Sequence, residues 1–300
     1  MANQFLIKEI VLEIQAENVE FIYDPGTPLE QRVLKDISFT ISSGAVVGIL
    51  GSSGSGKTTL VRNLNGLLEP TNGSVLVGGI DTRKYGPELR RRVGLVFQRP
   101  ERQLFEETVF KDISFVLRRF SKWSEREIFD RVEHAAGLVG LNIIEVGSRC
   151  PMALSEGERR KVAIAGILAN EPEVLILDEP AVGLDLPSVA SLVSLIQEIK
   201  HSGGRTVVVV SHDLDAFLTV LDTVIVLDHG RLAAFGSPME VCTALGADPR
   251  MRPFLPEPAL LLYDLHKMGV PVDVNEFRIP VLAQQLSAFL VRMAGNPGTG

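Results

Sequence analysis

The segment LSEGERRKVAIAGILANEPEVLILDEPAVGLD, residues 154–185, contains three chemically distinct parts in a fixed order. A serine and a glycine stand at the predicted start of a helix, an apolar strand follows at residues 174–177, and the segment closes with the tripeptide GLD. The strand leads into two adjacent carboxylates, Asp178 and Glu179. Taken alone, such a pair before a proline is best explained as a solvated strand end. Whether this carboxylate pair has a function therefore depends on which other residues of the chain lie beside it.

A phosphate-binding loop lies upstream of that segment. Residues 51–58 fit the pattern G-x-x-x-x-G-K-[ST] and comprise Gly51, Ser52, Ser53, Gly54, Ser55, Gly56, Lys57 and Thr58. The glycines let backbone N–H groups curl around phosphate oxygens, and the helix predicted to follow presents its positive end to the same anion. We expect Lys57 to neutralise the β- and γ-phosphates, Thr58 to bind Mg²⁺ through its hydroxyl, and Thr59 to reach the α-phosphate. The loop predicts nucleotide binding without specifying the class of nucleotide-hydrolysing protein.

The phosphate loop and the segment 154–185, in this order, resemble the ATP-binding-cassette (ABC) ATPases. The resemblance implies ATP and Mg²⁺ as ligands, bound between two subunits. It also implies that Asp178 holds Mg²⁺ through water at the end of its strand. Glu179 would then polarise the water that attacks ATP, and general-base assistance of this kind is typically worth roughly 10²–10⁴ in rate.

Four further residues match positions of the family pattern. Gln98 follows a predicted strand and matches the glutamine that senses Mg²⁺ and the γ-phosphate, while His212 matches the histidine that contacts the γ-phosphate. Tyr23 matches an aromatic residue that stacks on adenine, and Asp185 matches a residue that reaches across to the partner subunit. The other histidines of the chain are given no role.

The signature motif of the family, LSGGQ, is altered here to LSEGE at residues 154–158. In ABC dimers this helix start faces the γ-phosphate held by the other subunit, so the resemblance implies that contact for Ser155 and Gly157. Glu158 preserves a capping box with Ser155, whereas Glu156 adds a side chain and a negative charge. Two interpretations stay open. Glu156 either turns to solvent or pairs with one of the two arginines that follow, or it weakens the nucleotide sandwich on this face.

A second segment, RPERQLFEETV at residues 99–109, resembles the P-E-x-Q-L-F region of energy-coupling-factor (ECF) transporter ATPases, including the CbiO type. Residues 162–168 are also similar to those proteins. The resemblance implies three partners: a second ABC ATPase subunit, identical or different, a transmembrane scaffold protein, and a substrate-binding membrane protein. In that family, helices of the scaffold dock in a groove beside this segment. Four acids either receive arginines from such a helix or form a solvated face: Glu101, Glu106, Glu107 and Asp112.

The composition describes a globular chain of 300 residues with a net charge of −7. This acidic balance argues against an exposed nucleic-acid-binding surface. No apolar run approaches the ~18–20 residues needed to cross a bilayer, so we expect any membrane association to be peripheral. The resemblance to ECF ATPases implies a place on the cytoplasmic face of the cell (inner) membrane. Cys150 and Cys242 form neither a metal-binding nor a disulfide pattern, and are interpreted as reduced thiols.

The alternation of apolar strands and helices predicts an α/β core. The resemblance to ABC ATPases implies a P-loop ABC cassette with a mixed sheet core, an antiparallel β subdomain and a helical subdomain. Strands are expected at residues 10–21, 33–41, 45–50, 73–79, 92–97, 174–177 and 206–210. Helices are expected at residues 58–68, 187–200, 259–268 and 281–293, and within 108–141, where Ser124 and Glu127 suggest a capping box. We expect residues 1–240 to form the ATPase domain, with a helical subdomain at about 99–170. Residues 241–300 are expected to form a small helical extension that either strengthens a dimer or is plain core.

The sequence therefore predicts the ATPase subunit of an ECF-type importer for a vitamin or a transition-metal ion. An ATPase subunit of another ABC transporter class is the first alternative, and the segment 99–109 is what separates the two. A non-transport ABC ATPase of DNA repair or translation usually carries coiled-coil arms, zinc cysteines or a second cassette, none of which the sequence contains. A phosphate-loop kinase or GTPase would leave the segment 154–185 unexplained.

Overall fold

The computed structural model describes residues 12–85, 88–120, 122–201 and 204–294. Its strands are β1 (Ile14–Tyr23), β2 (Gln31–Ile41), β3 (Val46–Gly51), β4 (Asn72–Val77), β5 (Ile80–Asp81), β6 (Val93–Val96), β7 (Val174–Asp178), β8 (Thr206–Ser211), β9 (Thr223–Asp228) and β10 (Arg231–Gly236). Its α-helices are α1 (Lys57–Leu64), α2 (Thr82–Tyr85), α3 (Leu89–Arg92), α4 (Val109–Phe120), α5 (Glu125–Leu138), α6 (Ile143–Val146), α7 (Glu156–Leu168), α8 (Leu186–His201), α9 (Pro238–Leu245), α10 (Glu257–Lys267) and α11 (Ile279–Ala294). Residues 10 and 11 of the first predicted strand lie outside the described residues.

A six-stranded sheet in the order β10-β9-β3-β8-β7-β6 forms the centre of the fold. Five of its strands are parallel, and β10 joins β9 antiparallel, so the predicted mixed sheet is confirmed. Every residue of β3, β7 and β8 is buried, which is why these strands are continuous apolar runs in the sequence. Alternate residues of β3 pack into two different cores, Val46 and Leu50 into one, Val47 and Ile49 into the other.

A second, four-stranded sheet in the order β2-β1-β4-β5 is antiparallel throughout. Its buried side chains, including Leu34 and Ile37 of β2, share the second core with α1 and with one face of the central sheet. The predicted antiparallel sheet is therefore present. It places the end of β1 and the start of β2 beside the loop that precedes α1.

Two helical regions differ in detail from their predicted bounds. Helix α1 ends at Leu64, four residues before the predicted end, because Gly66 adopts a φ of 70° that terminates the helix. The helical region 108–141 is divided into α4 and α5. The predicted capping box begins α5, with Ser124 accepting from the Glu127 N–H and the Glu127 side chain accepting from the Ser124 N–H at 2.7 Å.

The hairpin of β9 and β10 was not predicted from the sequence. Its second strand alternates exposed and half-buried residues over only six positions, too short a pattern to separate from a loop. Beyond it, α10 buries Ala259 and Leu262, and α11 buries Leu282. Among the described helices, none is both long and apolar enough to cross a membrane.

The parallel strands decide where the functional residues meet. The carboxyl ends of β3, β6, β7 and β8 lie at one edge of the sheet, because parallel neighbours end on the same side. The phosphate loop, Gln98, Glu179 and His212 follow these four ends.

Candidate active site

The phosphate loop enters α1 through a turn that requires glycine. Gly56 has a φ of 105°, and a Cβ at this position would lie 2.9 Å from a methyl carbon of Leu34. As the residue before α1 it brings no capping side chain, so the N–H groups of the first turn remain for an anion. The hydroxyl of Ser55 is buried without a hydrogen-bond partner in the described structure and lines the same space. The loop is thus shaped and polarised to receive phosphate.

Lys57 is a buried cation held by the loop itself. Its ammonium donates to the carbonyl oxygens of Gly51 at 2.7 Å and Ser52 at 3.1 Å. Burial lowers the pKa of Lys57, and the carboxylates of Glu179 and Asp178 oppose that shift. An incoming phosphate would supply the negative charge that this partly desolvated ammonium lacks.

Asp178 stands at the buried end of β7. The Thr58 hydroxyl donates to its Oδ2 at 3.3 Å, and its Oδ1 is buried without a partner among the described residues. Burial, the largest cause, raises the pKa of Asp178. Mg²⁺ prefers carboxylate and hydroxyl oxygens and usually binds proteins through one or two carboxylates plus phosphate oxygens. An orphaned carboxylate oxygen beside a threonine hydroxyl fits such an ion.

Glu179 follows Asp178 with an unusual backbone. Its φ of 50° is rare for a residue with a side chain, and its N–H donates to Val210 O at 2.8 Å. This conformation turns the carboxylate toward the end of β8. There Oε2 accepts from the Ser211 hydroxyl at 3.2 Å and lies 2.9 Å from Nδ1 of His212. Backbone strain of this kind is typically found at functional positions.

A cavity of about 450 Å³ collects most of the predicted residues. Its lining comprises Tyr23, Gln31, Val33, Ser53, Gly54, Ser55, Gly56, Lys57, Thr58, Thr59, Gln98, Glu179 and His212. The Tyr23 hydroxyl lies 3.3 Å from that of Thr59, and the tyrosine is the last residue of β1 rather than part of the following turn. Gly51, Ser52 and Asp178 stand behind this lining and contact it through Lys57 and Thr58.

The signature and GLD residues do not line this cavity. Ser155, Gly157 and Asp185 are exposed, and Asp185 Oδ1 accepts from the N–H of Ser188 near the start of α8. Glu156 is also exposed. Arg159 donates to Leu154 O and Arg160 to Pro180 O and Val182 O, so the two arginines bind backbone carbonyls. These geometries favour the interpretation that Glu156 faces solvent in the single subunit.

A larger groove of about 890 Å³ lies along α4, outside the nucleotide cavity. Aromatic and aliphatic side chains line it together with four charged ones: Phe110, Phe115, Phe129, Ile143, Ile144, Glu106, Lys111, Arg118 and Arg119. Of the four acids predicted nearby, Glu106 lines the groove and Glu107 pairs with Lys111. Asp112 accepts from the N–H groups of Phe105 and Glu106, so its carboxylate is occupied within the chain. The side chain of Glu101 lies outside the described residues.

Two residues that line the nucleotide cavity, and one that contacts it through Glu179, were missed by the sequence analysis. Gln31 and Val33 reach it only because β2 is paired with β1, and no local pattern marks them. Ser211, which hydrogen-bonds Glu179, was identifiable in principle because it directly precedes His212 at the end of a buried strand.

Comparison with known proteins gives consistent matches. The profile of the family described as ABC transporter matches residues 34–182. The energy-coupling factor transporter ATP-binding protein EcfA2 of Caldanaerobacter subterraneus is 40% identical over 282 residues, covering 93% of this chain and 98% of that protein. The protein of the same name from Symbiobacterium thermophilum is 45% identical over 233 residues, covering 77% of this chain and 80% of that protein.

Two solved structures are similar in fold. The structure of cbiO1 from Clostridium perfringens, part of the ABC transporter complex cbiONQ, has a TM-score of 0.71 at 32% identity and covers 92% of this chain and 99% of that chain. A dimeric, post-hydrolysis structure of the ATP-binding cassette MJ0796 bound to ADP and Pi has a TM-score of 0.67 at 27% identity, covering 75% of this chain and 98% of that chain.

Proposed function

This chain belongs to the ABC transporter family, as an ATP-hydrolysing subunit of the energy-coupling-factor type, and we propose that it powers the import of a vitamin or a transition-metal ion. One observation supports its chemistry most directly. The ends of neighbouring parallel strands bring Lys57, Glu179 and His212 to one cavity, with Asp178 bonded to Thr58 at its wall.

ATP binding begins at the phosphate loop. The first-turn N–H groups of α1 and the ammonium of Lys57 face the β- and γ-phosphates, and Thr59 faces the α-phosphate. On binding, phosphate oxygens replace the carbonyl partners that now hold Lys57. Tyr23, half-buried at the end of β1, presents its ring to the adenine.

Thr58, Asp178 and Gln98 would hold Mg²⁺. When bound, the ion neutralises charge on the β- and γ-phosphate oxygens. In the structure the Thr58 hydroxyl donates to Asp178 Oδ2. The Thr58 hydroxyl oxygen and Asp178 Oδ2 are the two oxygens that would bind a cation or its water shell. Gln98 is exposed two residues after the end of β6 and lines the same cavity, so its amide oxygen would be a third ligand for the ion.

Hydrolysis is assigned to Glu179 and His212. Glu179 accepts a hydrogen bond from the attacking water and draws away its proton as the water approaches the γ-phosphate. The contact between His212 Nδ1 and Glu179 Oε2 positions the imidazole beside the carboxylate, and a hydrogen bond to the γ-phosphate would require a proton on its other nitrogen, Nε2. The Ser211 hydroxyl holds the same carboxylate oxygen and limits its rotation.

A second ABC ATPase subunit, identical or different, completes the site. Ser155, Gly157 and Asp185 are exposed and lie outside the cavity of their own chain, on surface that a partner's nucleotide and loops can reach. The extension from residue 241 onward would add to this dimer, since Leu261 of α10 and Leu290 and Val291 of α11 are exposed apolar side chains.

The groove along α4 is proposed as the contact with a transmembrane scaffold protein. Its floor is aromatic and aliphatic, and its volume suits an inserted helix end. Glu106 and Arg119 give the groove both signs of charge, which would orient the inserted helix, whereas Arg118 is paired with Glu125. This contact would place the subunit on the cytoplasmic face of the membrane, beside a scaffold and a substrate-binding membrane protein.

Co-purification from membranes tests the proposal. The tagged full-length chain is expected to bring down an integral membrane scaffold of the energy-coupling-factor type from a detergent extract. Phe115→Asp should abolish that capture while leaving ATP binding intact, whereas Ile80→Asp, an exposed apolar position outside the groove lining, should not. Capture of nucleic acid or ribosomes instead of a membrane protein would overturn the assignment.

A further inference from the structure

In the altered signature motif, Ser155 and Glu158 are hydrogen-bonded to each other. Oε2 of Glu158 accepts two hydrogen bonds from Ser155, one from the backbone N–H at 2.9 Å and one from the hydroxyl at 2.8 Å. In return, the Ser155 Oγ accepts from the Glu158 N–H at 3.3 Å. The hydrogen bonds from Ser155 lower the pKa of Glu158, so the side chain is an anion at neutral pH. An anion of this chain therefore already occupies the start of α7.

We propose that Glu158, together with Glu156, withholds Ser155 from the nucleotide of the partner subunit, so that the nucleotide site this chain completes across a dimer interface is weakened. The inference rests on the proposed function, because it concerns the second face of the same nucleotide sandwich. The cavity of this chain itself keeps its lysine, both carboxylates and histidine. Only the contact that Ser155 would make with the nucleotide of the partner subunit is weakened.

The hydroxyl of Ser155 can donate only one hydrogen. A serine hydroxyl has one O–H, and here it is directed at a carboxylate, which is a stronger acceptor than a neutral amide oxygen. To donate to a γ-phosphate, Ser155 must break this charge-assisted bond. A glutamine at position 158 would keep the capping box with a neutral acceptor, so the same rearrangement would cost less.

Charge adds a second obstacle. Glu156 and Glu158 place two negative charges in the first turn of α7, where the positive end of the helix would otherwise attract phosphate. Glu156 is exposed, and apart from the chain neighbours and backbone of α7 no described residue lies within 4 Å of where a Cβ on Gly157 would stand, so this part of the helix start is open to an approaching nucleotide. A nucleotide of a partner would meet like charge on arrival.

The test uses the full-length chain in a hydrolysis-blocked Glu179→Gln background and measures ATP-dependent self-association by analytical ultracentrifugation. Adding Glu156→Gly and Glu158→Gln should tighten the ATP-bound dimer by roughly tenfold, since hydrogen bonds to charged groups are worth about that factor. Ser155→Ala should cancel the gain in the restored chain and change little in the original one, because there the hydroxyl is already occupied.

The chain supplies a matched control in a second capping box. Glu127→Gln makes the same change in the box of Ser124 at the start of α5 and should leave dimerisation unaltered. Measuring ATP binding by the single subunit distinguishes a failure of the proposed function from a failure of the inference about the signature motif. If the original chain does not bind ATP, the proposed function fails; if all variants bind ATP equally and their dimer constants agree within about twofold, the inference about the signature fails.

Discussion

Nδ1 of His212 lies 2.9 Å from Oε2 of Glu179, across the gap between the ends of β8 and β7. The contact depends on the left-handed backbone of Glu179, whose N–H is bound to Val210 O on the neighbouring strand. Only 12% of the Glu179 side chain is exposed, against 61% for His212, so the histidine is the part that a ligand can meet first. Two residues 33 positions apart thus act as one unit at the cavity wall.

Removing either member of this pair should block hydrolysis and spare binding. Glu179→Gln keeps the size of the side chain and removes its ability to take a proton, so phosphate release should fall by roughly 10²–10⁴. His212→Ala should also slow release while ATP binding stays within about threefold of the original affinity. His229→Ala, at an exposed histidine outside the cavity lining, serves as the control. Full turnover by Glu179→Gln would exclude its role as the base.

Lys57 should carry the nucleotide-dependent stability of the chain. A ligand at about 100 times its dissociation constant stabilises the folded state by about 2.7 kcal/mol, so Mg²⁺-ATP should raise the melting temperature measurably. Lys57→Ala should abolish the rise, because its ammonium is held by carbonyl oxygens of the same loop whose N–H groups receive the phosphates. Lys84→Ala, at an exposed lysine, should keep it. An unchanged rise in Lys57→Ala would place the nucleotide elsewhere.

Asp178→Asn should stabilise the nucleotide-free protein, in a pH-dependent way. Burial raises the pKa of Asp178, so the folded state holds that proton to higher pH than the unfolded chain does. The wild type therefore loses stability as the pH rises from the ordinary aspartate pKa through the raised one, whereas the asparagine variant does not. Near pH 8 the free energy of unfolding should be about 1 kcal/mol higher for the asparagine variant than for the wild type, and this difference should vanish in acid. Thermal unfolding at the two pH values measures it.

Asp248→Asn is the control, and it should change the stability of the protein in the opposite direction. Hydrogen bonds from Arg250 lower the pKa of Asp248, so removing its charge should cost stability above the ordinary aspartate pKa rather than add it. If Asp178→Asn is destabilising at pH 8, the buried carboxylate is better satisfied in the free protein than its unpartnered oxygen indicates.

Tyr23 should contribute to recognition of the base and not of the phosphates. Stacking on an aromatic ring is worth about 1–3 kcal/mol per base, so Tyr23→Ala should weaken ATP binding by roughly tenfold or more. Tyr23→Phe keeps the ring and loses only the long contact to the Thr59 hydroxyl, so it should bind nearly as the original. Tripolyphosphate, which has no base, should bind all three proteins equally in calorimetry; a loss in Tyr23→Ala would mean that the loop itself is disturbed.

Local sequence was sufficient wherever one segment carries both its structure and its chemistry. The phosphate loop, the buried strand ending in Asp178 and the capping box of Ser124 were predicted from residues close together in the chain. The hairpin of β9 and β10 was not predicted, because the alternation of β10 is brief and β9 joins the sheet through β3, which is distant in sequence. Gln31 and Val33 were missed for a related reason, since strand pairing alone brings them to the cavity.

The sequence by itself determined the family, the nucleotide loop and the identity of the charged residues, because each depends on residue type at fixed spacing. Tertiary structure decided which of those groups are free to act. Among the described residues it left the Asp178 Oδ1 unpartnered, and it bound Asp112 to backbone N–H groups beside the groove. Hydrogen bonds and burial set these states, and both depend on distances between groups that only the folded chain defines.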